Sequence, residues 1–379
     1  MAIRAAVIPA PNRPVEVRSY PLPELEPGAA LLRTWYSEVC GTDCHLLCGQ
    51  LPAAPYPLIP GHINVGVLER LNGPVTDAFG APLAEGDVVT FLDVHETCNN
   101  CWYCLVAKAT TRCPHRKVYG ITYGAEEGLL GGWSEVVYLK PGVKIMKLPA
   151  GLSPETAIAG GCALPTAFHG VERGGVGLGD VVVVQGSGPV GLMACALSRL
   201  SGAQRVIVIG APRLRLDMAL RFGADEVIDL EDTDEAARRE AVLAATGGRG
   251  ADVTIEATGN PAAVPEGMRL TRDAGAYVVL GQYTDAGEVA FNPHRDLNRK
   301  HLDIRATWGI DFSHMYKSLH AMARFVDAFP WGDLVSRTYE LSQANEALAD
   351  VEAGRVVKAV ICPNGVPDGG TVTRPQSLR

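Results

Sequence analysis

The sequence predicts an α/β protein with two domains, one rich in strands and one built on a doubly wound parallel sheet. The chain has 379 residues, which exceeds what one hydrophobic core usually fills. Its first half is dense in Gly and Pro and carries short β-rich runs, whereas from about Gly179 apolar strands alternate with amphipathic helices. These two patterns predict two different kinds of sheet.

The composition is that of a globular protein that acts on a small molecule. Hydrophobic residues make up 47% and charged residues 20% of the chain, which predicts an ordered core. The net charge of −8 comes without a dense Lys/Arg block, which argues against a nucleic-acid or anionic membrane partner. Apolar runs are shorter than the roughly 18 residues of a membrane span. We therefore expect a cytoplasmic protein with a small-molecule substrate, no nucleic acid and no membrane.

The strands expected in the two halves differ in pattern. In the first half we expect strands at Val65–Leu68, Asp87–Leu92 and Ser134–Leu139. The second half has six continuous apolar runs, as a parallel sheet covered on both faces requires: Val181–Val184, Arg205–Ile209, Glu226–Leu230, Asp252–Ala257, Ala276–Gly281 and Asp303–Trp308. Helical patterns fall between these runs: Val190–Ser201, Arg213–Phe222, Asp234–Thr246 and Ala262–Leu270. A last strand, Val356–Ile361, is expected to return to the first domain, before a loosely ordered tail from Pro363.

A glycine-rich turn follows the first strand of the second half. It reads Gly186, Ser187, Gly188, Pro189, Val190, Gly191 and opens a helix. Glycines between a buried strand and a helix N-terminus allow a tight turn and close backbone approach, and the helix amides receive a pyrophosphate. This favours a dinucleotide site, and the alternative is a plain glycine-rich turn.

The residue that reads the cofactor ribose is expected at the end of the next strand, where NAD-binding proteins carry Asp or Glu. Here the position is Gly210, and Arg213 and Arg215 follow. Absence of the carboxylate removes repulsion of a 2′-phosphate, and either arginine could supply positive charge. Equally, both arginines could lie on an exposed helix face. NAD and NADP both remain open.

Four cysteines lie in one short segment, here named the four-cysteine loop (residues 98–113): Cys98, Cys101, Cys104 and Cys113. Four thiolates at this spacing can close a tetrahedral, water-free Zn²⁺ site. We therefore predict structural zinc. The alternatives are a reduced loop without metal and a redox loop, which a cytosolic location disfavours.

A second group of ligand types is dispersed along the chain: Cys40, His62 and Cys162, here named the dispersed site. Two thiolates and one imidazole give the three-ligand, open-position geometry of a catalytic zinc. Spacing alone is weak support, because Cys44, Cys48, Cys195 and Cys362 belong to neither group and a buried cysteine is often a small hydrophobe.

At these residues the chain resembles the zinc-containing medium-chain alcohol dehydrogenases, over nearly its whole length. The matching segments are Cys40–His45, Gly61–His62, Gly86–Val89, the four-cysteine loop, Gly160–Ala167 and Gly186–Gly191. The resemblance implies a GroES-like catalytic domain over residues 1–163, a Rossmann domain over 164–309, and a return to the catalytic domain over 310–379. It also implies a homodimer or homotetramer.

The resemblance also implies roles for single residues. Cys40, His62 and Cys162 match the catalytic zinc ligands, and Asp43 matches the carboxylate that orients the zinc-bound imidazole. Thr42 matches the hydroxyl that bonds the substrate oxygen, and His45 the outer member of a proton relay. Lys358 matches a basic residue near the cofactor pyrophosphate.

The chain departs from the family pattern after the ligand histidine, where Ile63 replaces a glutamate that lies near the zinc. The segments Asn260–Gly267 and Gly80–Leu83 are similar to a branch of alcohol dehydrogenases that mostly have no assigned substrate. Within this group we expect kinship with the dehydrogenases of hydroxylated terpenoids such as hydroxycamphor, an expectation that rests on no single motif. We therefore expect a zinc-dependent alcohol dehydrogenase that oxidises a hydrophobic secondary alcohol of the cyclic terpenoid kind and passes hydride to NAD or NADP.

Three other functions remain open. One is a glutathione-adduct dehydrogenase acting on S-hydroxymethylglutathione, which only a substrate panel separates. The second is a zinc-free NADPH-dependent enone reductase, against which the dispersed site argues. The third is a non-catalytic nucleotide-binding redox sensor that keeps only structural zinc, against which Thr42 and His45 argue.

Overall fold

A computed structural model describes residues 2–52 and 54–366, and the chain divides into two compact units. Of the described residues, the first unit contains those within 2–162, 311–324 and 331–366, and the second contains 163–310 and 325–330. The tail expected to be loosely ordered lies outside the described residues apart from its first four, 363–366.

The first unit is dominated by strands. Its strands are β1 (Ala2–Val7), β2 (Glu16–Pro21), β3 (Ala30–Val39), β4 (Asn64–Leu71), β5 (Val88–Phe91), β6 (Val94–Glu96), β7 (Lys117–Val118), β8 (Val136–Leu139), β9 (Ile145–Lys147), β16 (Val335–Tyr339) and β17 (Lys358–Ile361). Its helices are α1 (Gly41–Leu47), α2 (Trp102–Leu105), α3 (Pro154–Gly160), α9 (Phe312–Arg324) and α10 (Ala344–Glu352).

The largest sheet of this unit is ordered β16-β17-β3-β4-β5-β9, and β8 pairs with the amino-terminal part of β3. Strand β3 is its longest strand, and it pairs antiparallel with β4 in a register that sets Ser37 opposite Asn64. The carboxyl end of β3 also pairs antiparallel with β17, so Val360 lies opposite Glu38. The chain therefore returns late in the sequence to the strand that leads into Cys40.

The second unit alternates strands and helices. Its strands are β10 (Val181–Gln185), β11 (Arg205–Gly210), β12 (Glu226–Asp229), β13 (Ala251–Glu256), β14 (Thr271–Val279) and β15 (Asp303–Ala306). Its helices are α4 (Ala163–Gly174), α5 (Pro189–Leu200), α6 (Arg213–Arg221), α7 (Glu235–Ala245) and α8 (Ala263–Leu270). All six predicted strands are present, with ends that differ by a few residues.

The sheet of the second unit is parallel throughout and is ordered β12-β11-β10-β13-β14-β15. In this doubly wound order, successive strands are added first on one side of β10 and then on its other side. The order confirms the predicted fold class. Strand β10 is buried along its whole length, as a central strand covered on both faces must be. Among the described residues, no helix has the length and apolar character needed to cross a bilayer.

Candidate active site and metal centres

The pairing of β3 with β4 brings Cys40 and His62 together. Cys40 follows the carboxyl end of β3, and His62 lies just before the amino end of β4. Because the two strands are antiparallel, the carboxyl end of β3 and the amino end of β4 lie side by side. The distance from Cys40 Sγ to His62 Nε2 is 3.7 Å. Gly61, before the histidine, has a φ of +87°, and a Cβ there would lie 2.5 Å from Ser37 Oγ, so this bend requires glycine.

Cys162 completes the group from a third segment of the chain. It follows α3 and lies one residue beyond Gly161, which has a φ of +51°. The ligand atoms of Cys40, His62 and Cys162 all lie within 4.8 Å of one another, and His62 is only 4% exposed. The fold therefore gathers two thiols and an imidazole from three distant positions in the sequence.

The electrostatics of the dispersed site suit a divalent cation. The neighbouring Cys162 thiol holds the pKa of Cys40 well below its usual value, while the same contact raises the pKa of Cys162. Burial lowers the pKa of His62, but the Cys40 thiolate more than offsets this and raises it to about 10. The three groups therefore share protons that a metal ion would displace on binding. This donor set fits Zn²⁺ with one coordination position left open.

Asp43 contacts the backbone beside two of the ligands. Its carboxylate accepts hydrogen bonds from the backbone N–H of Cys40 at 2.9 Å and of Gly61 at 3.5 Å. His62 Nδ1 is buried without a hydrogen-bond partner among the described residues. Asp43 is itself fully buried, and burial raises its pKa well above the usual value. Asp43 thus fixes the peptides that precede the two ligands, and its bond to a zinc-bound imidazole stays a prediction.

Thr42 and His45 both lie on α1, directly after Cys40. The Thr42 hydroxyl donates toward the Cys40 thiolate and helps to lower its pKa. His45 Nδ1 is hydrogen-bonded to Gln50 Oε1. Residues three apart on a helix share a face, so α1 sets the hydroxyl beside the dispersed site and the imidazole one turn farther along the same face.

The four-cysteine loop also brings its ligands together. The Sγ atoms of Cys98 and Cys113 lie 3.5 Å apart, as do those of Cys101 and Cys104, and all four lie within 4.8 Å of one another. Tetrahedral Zn–S bonds of about 2.3 Å would set the sulfurs about 3.8 Å apart. The backbone N–H of Asn100 is the main cause that lowers the pKa of Cys98, to about 6, while burial raises that of Cys104 to about 12. Unequal thiols crowded at this distance fit a closed zinc site.

The glycines of the glycine-rich turn have different surroundings. Gly186 follows β10 with a φ of +110°, and a Cβ there would lie 2.7 Å from the carbonyl oxygen of Ala257. Gly191 lies so close to Gly186 that a Cβ would overlap its carbonyl. Gly188 is the N-cap of α5, and a Cβ there would meet no atom of the described residues within 4 Å. Pro189 and Val190 form the first turn of α5, whose open end fits a pyrophosphate.

The ribose-reading position is closed by packing. Gly210 ends β11, and a Cβ there would overlap Ser187 Oγ, whose hydroxyl donates to the carbonyl of Ala211 at 3.0 Å. A carboxylate side chain would therefore require Ser187 to move. Arg213 is exposed on α6 and pairs with Asp217 one turn later at 2.8 Å, whereas Arg215 is half-buried, which lowers its pKa. Two arginines, Arg213 and Arg215, thus follow β11, whereas NAD-binding proteins carry an acidic residue that binds the ribose at the end of this strand.

Lys358 begins β17 in the first unit, and its side chain is 1% exposed. Its ammonium pairs with the carboxylate of Glu38, which is 2% exposed, and donates to the carbonyl of Gly160 at 3.4 Å. The structure thus shows Lys358 in an internal ion pair, and the contact with the cofactor pyrophosphate stays a prediction.

Glu38 was not foreseen as a site residue. Its Oε2 accepts a hydrogen bond from the backbone N–H of Cys162 at 2.6 Å, and its own N–H donates to the carbonyl of Ile63 at 3.1 Å. The only signal in the sequence was a charged residue inside an apolar strand that ends at Cys40. Its partner Lys358 is 320 residues away and becomes a neighbour only through the pairing of β17 with β3.

Comparison with known proteins agrees with the fold. Residues 26–150 match the alcohol dehydrogenase GroES-like domain and residues 189–324 match the zinc-binding dehydrogenase domain. The chain is 38% identical to 5-exo-hydroxycamphor dehydrogenase of Pseudomonas putida over 360 residues, which cover 94% of this chain and 98% of the relative.

Solved structures extend the likeness. The crystal structure of an alcohol dehydrogenase from Thermotoga maritima superimposes with a TM-score of 0.91 at 31% identity, covering 96% of this chain and 99% of that one. A protein from Sinorhizobium meliloti, assigned as a zinc-binding dehydrogenase and bound to NADP, superimposes with a TM-score of 0.83 at 26% identity, covering 96% of this chain and all of that one. The chain therefore belongs to the zinc-type medium-chain alcohol dehydrogenase family, whose members are nicotinamide-linked oxidoreductases.

Proposed function

We propose that the chain is a zinc-dependent alcohol dehydrogenase that oxidises a hydrophobic secondary alcohol, of the cyclic terpenoid class, to its ketone. The observation that carries the proposal is the convergence of Cys40, His62 and Cys162 within 4.8 Å. The substrate class is supported by the likeness to a hydroxycamphor dehydrogenase, which extends over nearly the whole chain. The hydride acceptor is NAD or NADP.

Cys40, His62 and Cys162 would hold the zinc. When bound, zinc would supply Lewis acidity that favours loss of the substrate hydroxyl proton, and the nicotinamide would supply the hydride acceptor. Burial of His62 excludes water from the ligand side of the site, which strengthens these electrostatic interactions.

The chain's own residues would move the proton. The Thr42 hydroxyl, held beside Cys40, would accept the proton of the substrate hydroxyl and give up its own proton, whose final acceptor would be the His45 imidazole. Gln50 Oε1 accepts a hydrogen bond from His45 Nδ1–H, which orients this imidazole. Since Thr42 and His45 share one face of α1, the proton would leave along that face.

A substrate panel tests the proposal. Purified enzyme is given cyclic secondary alcohols including 5-exo-hydroxycamphor, primary alcohols, and S-hydroxymethylglutathione, each with NAD⁺ and with NADP⁺, and the reduced nicotinamide is followed by its absorbance. We expect the highest kcat/KM with a cyclic secondary alcohol. A preference for S-hydroxymethylglutathione would overturn the substrate class, and failure to oxidise any alcohol with either cofactor would overturn the function.

The assembly expected for this family is a homodimer or homotetramer. Size-exclusion chromatography with light scattering measures the mass of the particle directly and compares it with the 40.2 kDa of one chain. A particle of two or four chains agrees with this part of the proposal, and a stable monomer would contradict it.

A further inference from the structure

The first unit contains an ion pair, Glu38 with Lys358, that is almost completely buried. Glu38 and Lys358 are each 2% exposed, and the carboxylate meets the ammonium directly. The backbone of Glu38 is held by contacts other than the ion pair. Its carbonyl accepts a hydrogen bond from Trp133 Nε1 at 3.1 Å, and Glu38 lies opposite Val360 in the pairing of β3 with β17. A buried pair costs desolvation energy that apolar residues would not, so its specific contacts call for an explanation.

Those contacts converge on the peptides around Cys162. Glu38 Oε2 accepts from the N–H of Cys162 at 2.6 Å, and Lys358 Nζ donates to the carbonyl of Gly160 at 3.4 Å. Between these two points lies Gly161, where a Cβ would overlap both Lys358 Nζ and the Glu38 carboxylate. Glu38 and Lys358 therefore contact the turn before Cys162 from both sides. Only glycine fits at the centre of this turn, Gly161.

Cys162 is the ligand that needs such support. Cys40 and His62 lie at the ends of paired strands, whereas Cys162 follows the seven-residue helix α3 and an exceptional backbone conformation at Gly161. Its backbone N–H is directed to β3 by Glu38, and β3 is the strand that ends at Cys40. One side chain thus ties the third ligand to the strand that presents the first.

We propose that Glu38 and Lys358 form a positioning pair that holds Cys162 in place as a zinc ligand of the dispersed site. This inference deepens the proposed function and rests on it. Partners of this kind, which touch a ligand's surroundings rather than the metal, change metal affinity by roughly 10- to 100-fold when they are removed.

The test separates positioning from folding. In Glu38→Leu/Lys358→Met both charges are removed together, because an apolar replacement of a whole buried pair is often neutral or stabilising. We expect its melting temperature to stay near that of the parent, while the zinc dissociation constant of one of its two sites, measured by competition with a chromogenic chelator, rises by roughly 10- to 100-fold. In Glu38→Gln/Lys358→Met the amide oxygen still accepts from Cys162, and zinc affinity should return to within about threefold of the parent.

A control lies in the second unit, where Arg238 and Glu266 form a largely buried pair at 2.6 Å, with side chains 11% and 12% exposed. Arg238→Met/Glu266→Leu should leave both zinc dissociation constants unchanged. Equal loss of zinc in this control, or parental zinc affinity in Glu38→Leu/Lys358→Met, would overturn the positioning role alone. A parent chain with about one zinc and no alcohol oxidation would instead overturn the proposed function, and this inference with it.

Discussion

The four-cysteine loop and the dispersed site both belong to the first unit, but they are assembled in different ways. The loop draws its ligands from residues 98–113, and its sulfurs come together through local turns. The dispersed site draws on residues 40, 62 and 162, and it depends on the register of β3 with β4 and on the contact of Glu38 with Cys162. A local site can be recognised from spacing, whereas a dispersed one requires the fold.

The assignment of the dispersed site as the catalytic site would be wrong if one of its ligands could be removed without loss of activity. Cys40→Ser should lower kcat/KM by about a thousandfold, because it removes several kcal/mol of Lewis-acid stabilisation. Steady-state kinetics and zinc analysis by mass spectrometry measure both effects, and about one zinc should remain, in the four-cysteine loop. Cys48→Ser, at an exposed thiol outside both groups, is the control. Retention of a tenth of the parental activity by Cys40→Ser would contradict this.

A ligand of the four-cysteine loop should affect stability rather than chemistry. Cys104→Ser should lose the loop zinc and lower the free energy of unfolding by about 4 kcal/mol, since loss of a structural metal is among the most damaging changes. Chemical denaturation with zinc analysis measures this. At a temperature where the variant is folded, kcat/KM should fall far less than in Cys40→Ser. Parental stability after loss of the zinc would mean that the metal in this loop is not structural.

The turn before Cys162 gives a sharper test of long-range assembly. Gly161→Ala adds a Cβ that overlaps Lys358 Nζ and the Glu38 carboxylate, so Cys162 should shift and the zinc affinity of the dispersed site should fall by roughly 10- to 100-fold. Gly142→Ala is matched, because Gly142 also has a positive φ, +89°, but a Cβ there would meet no described atom within 4 Å. Chelator competition on both variants measures the difference. Equal affinities would show that the turn tolerates displacement.

The glycine-rich turn of the second unit contains one glycine that close packing requires, Gly191, and one at an open helix end, Gly188. Gly191→Ala should lower the free energy of unfolding by about 3 kcal/mol, because its Cβ overlaps the carbonyl of Gly186. Gly188→Ala should change stability by less than about 1 kcal/mol and weaken nicotinamide binding instead. Denaturation and cofactor titration by fluorescence separate the two. The reverse ranking of stability would refute the assignment of these glycines.

The extent to which sequence predicted structure follows the same division. The six strands of the second unit were predicted because buried parallel strands are continuous apolar runs, and the four-cysteine loop because its spacing is local. The ion pair of Lys358 with Glu38 could not be predicted, because the two residues lie 320 positions apart and no periodicity connects them. The contacts of Asp43 with the backbone N–H groups of Cys40 and Gly61 could not be predicted either. The spacing of side chains along the sequence gives no information about hydrogen bonds between a side chain and the backbone.

The most direct measurement of the central claim is anomalous diffraction at the zinc absorption edge from crystals of the purified enzyme. The account predicts two peaks per chain. One should lie about 2.3 Å from Cys40 Sγ and Cys162 Sγ and about 2.1 Å from His62 Nε2, and the other should lie among the sulfurs of the four-cysteine loop. A single peak, confined to the four-cysteine loop in crystals grown with excess zinc, would contradict the assignment of the dispersed site as a catalytic metal centre.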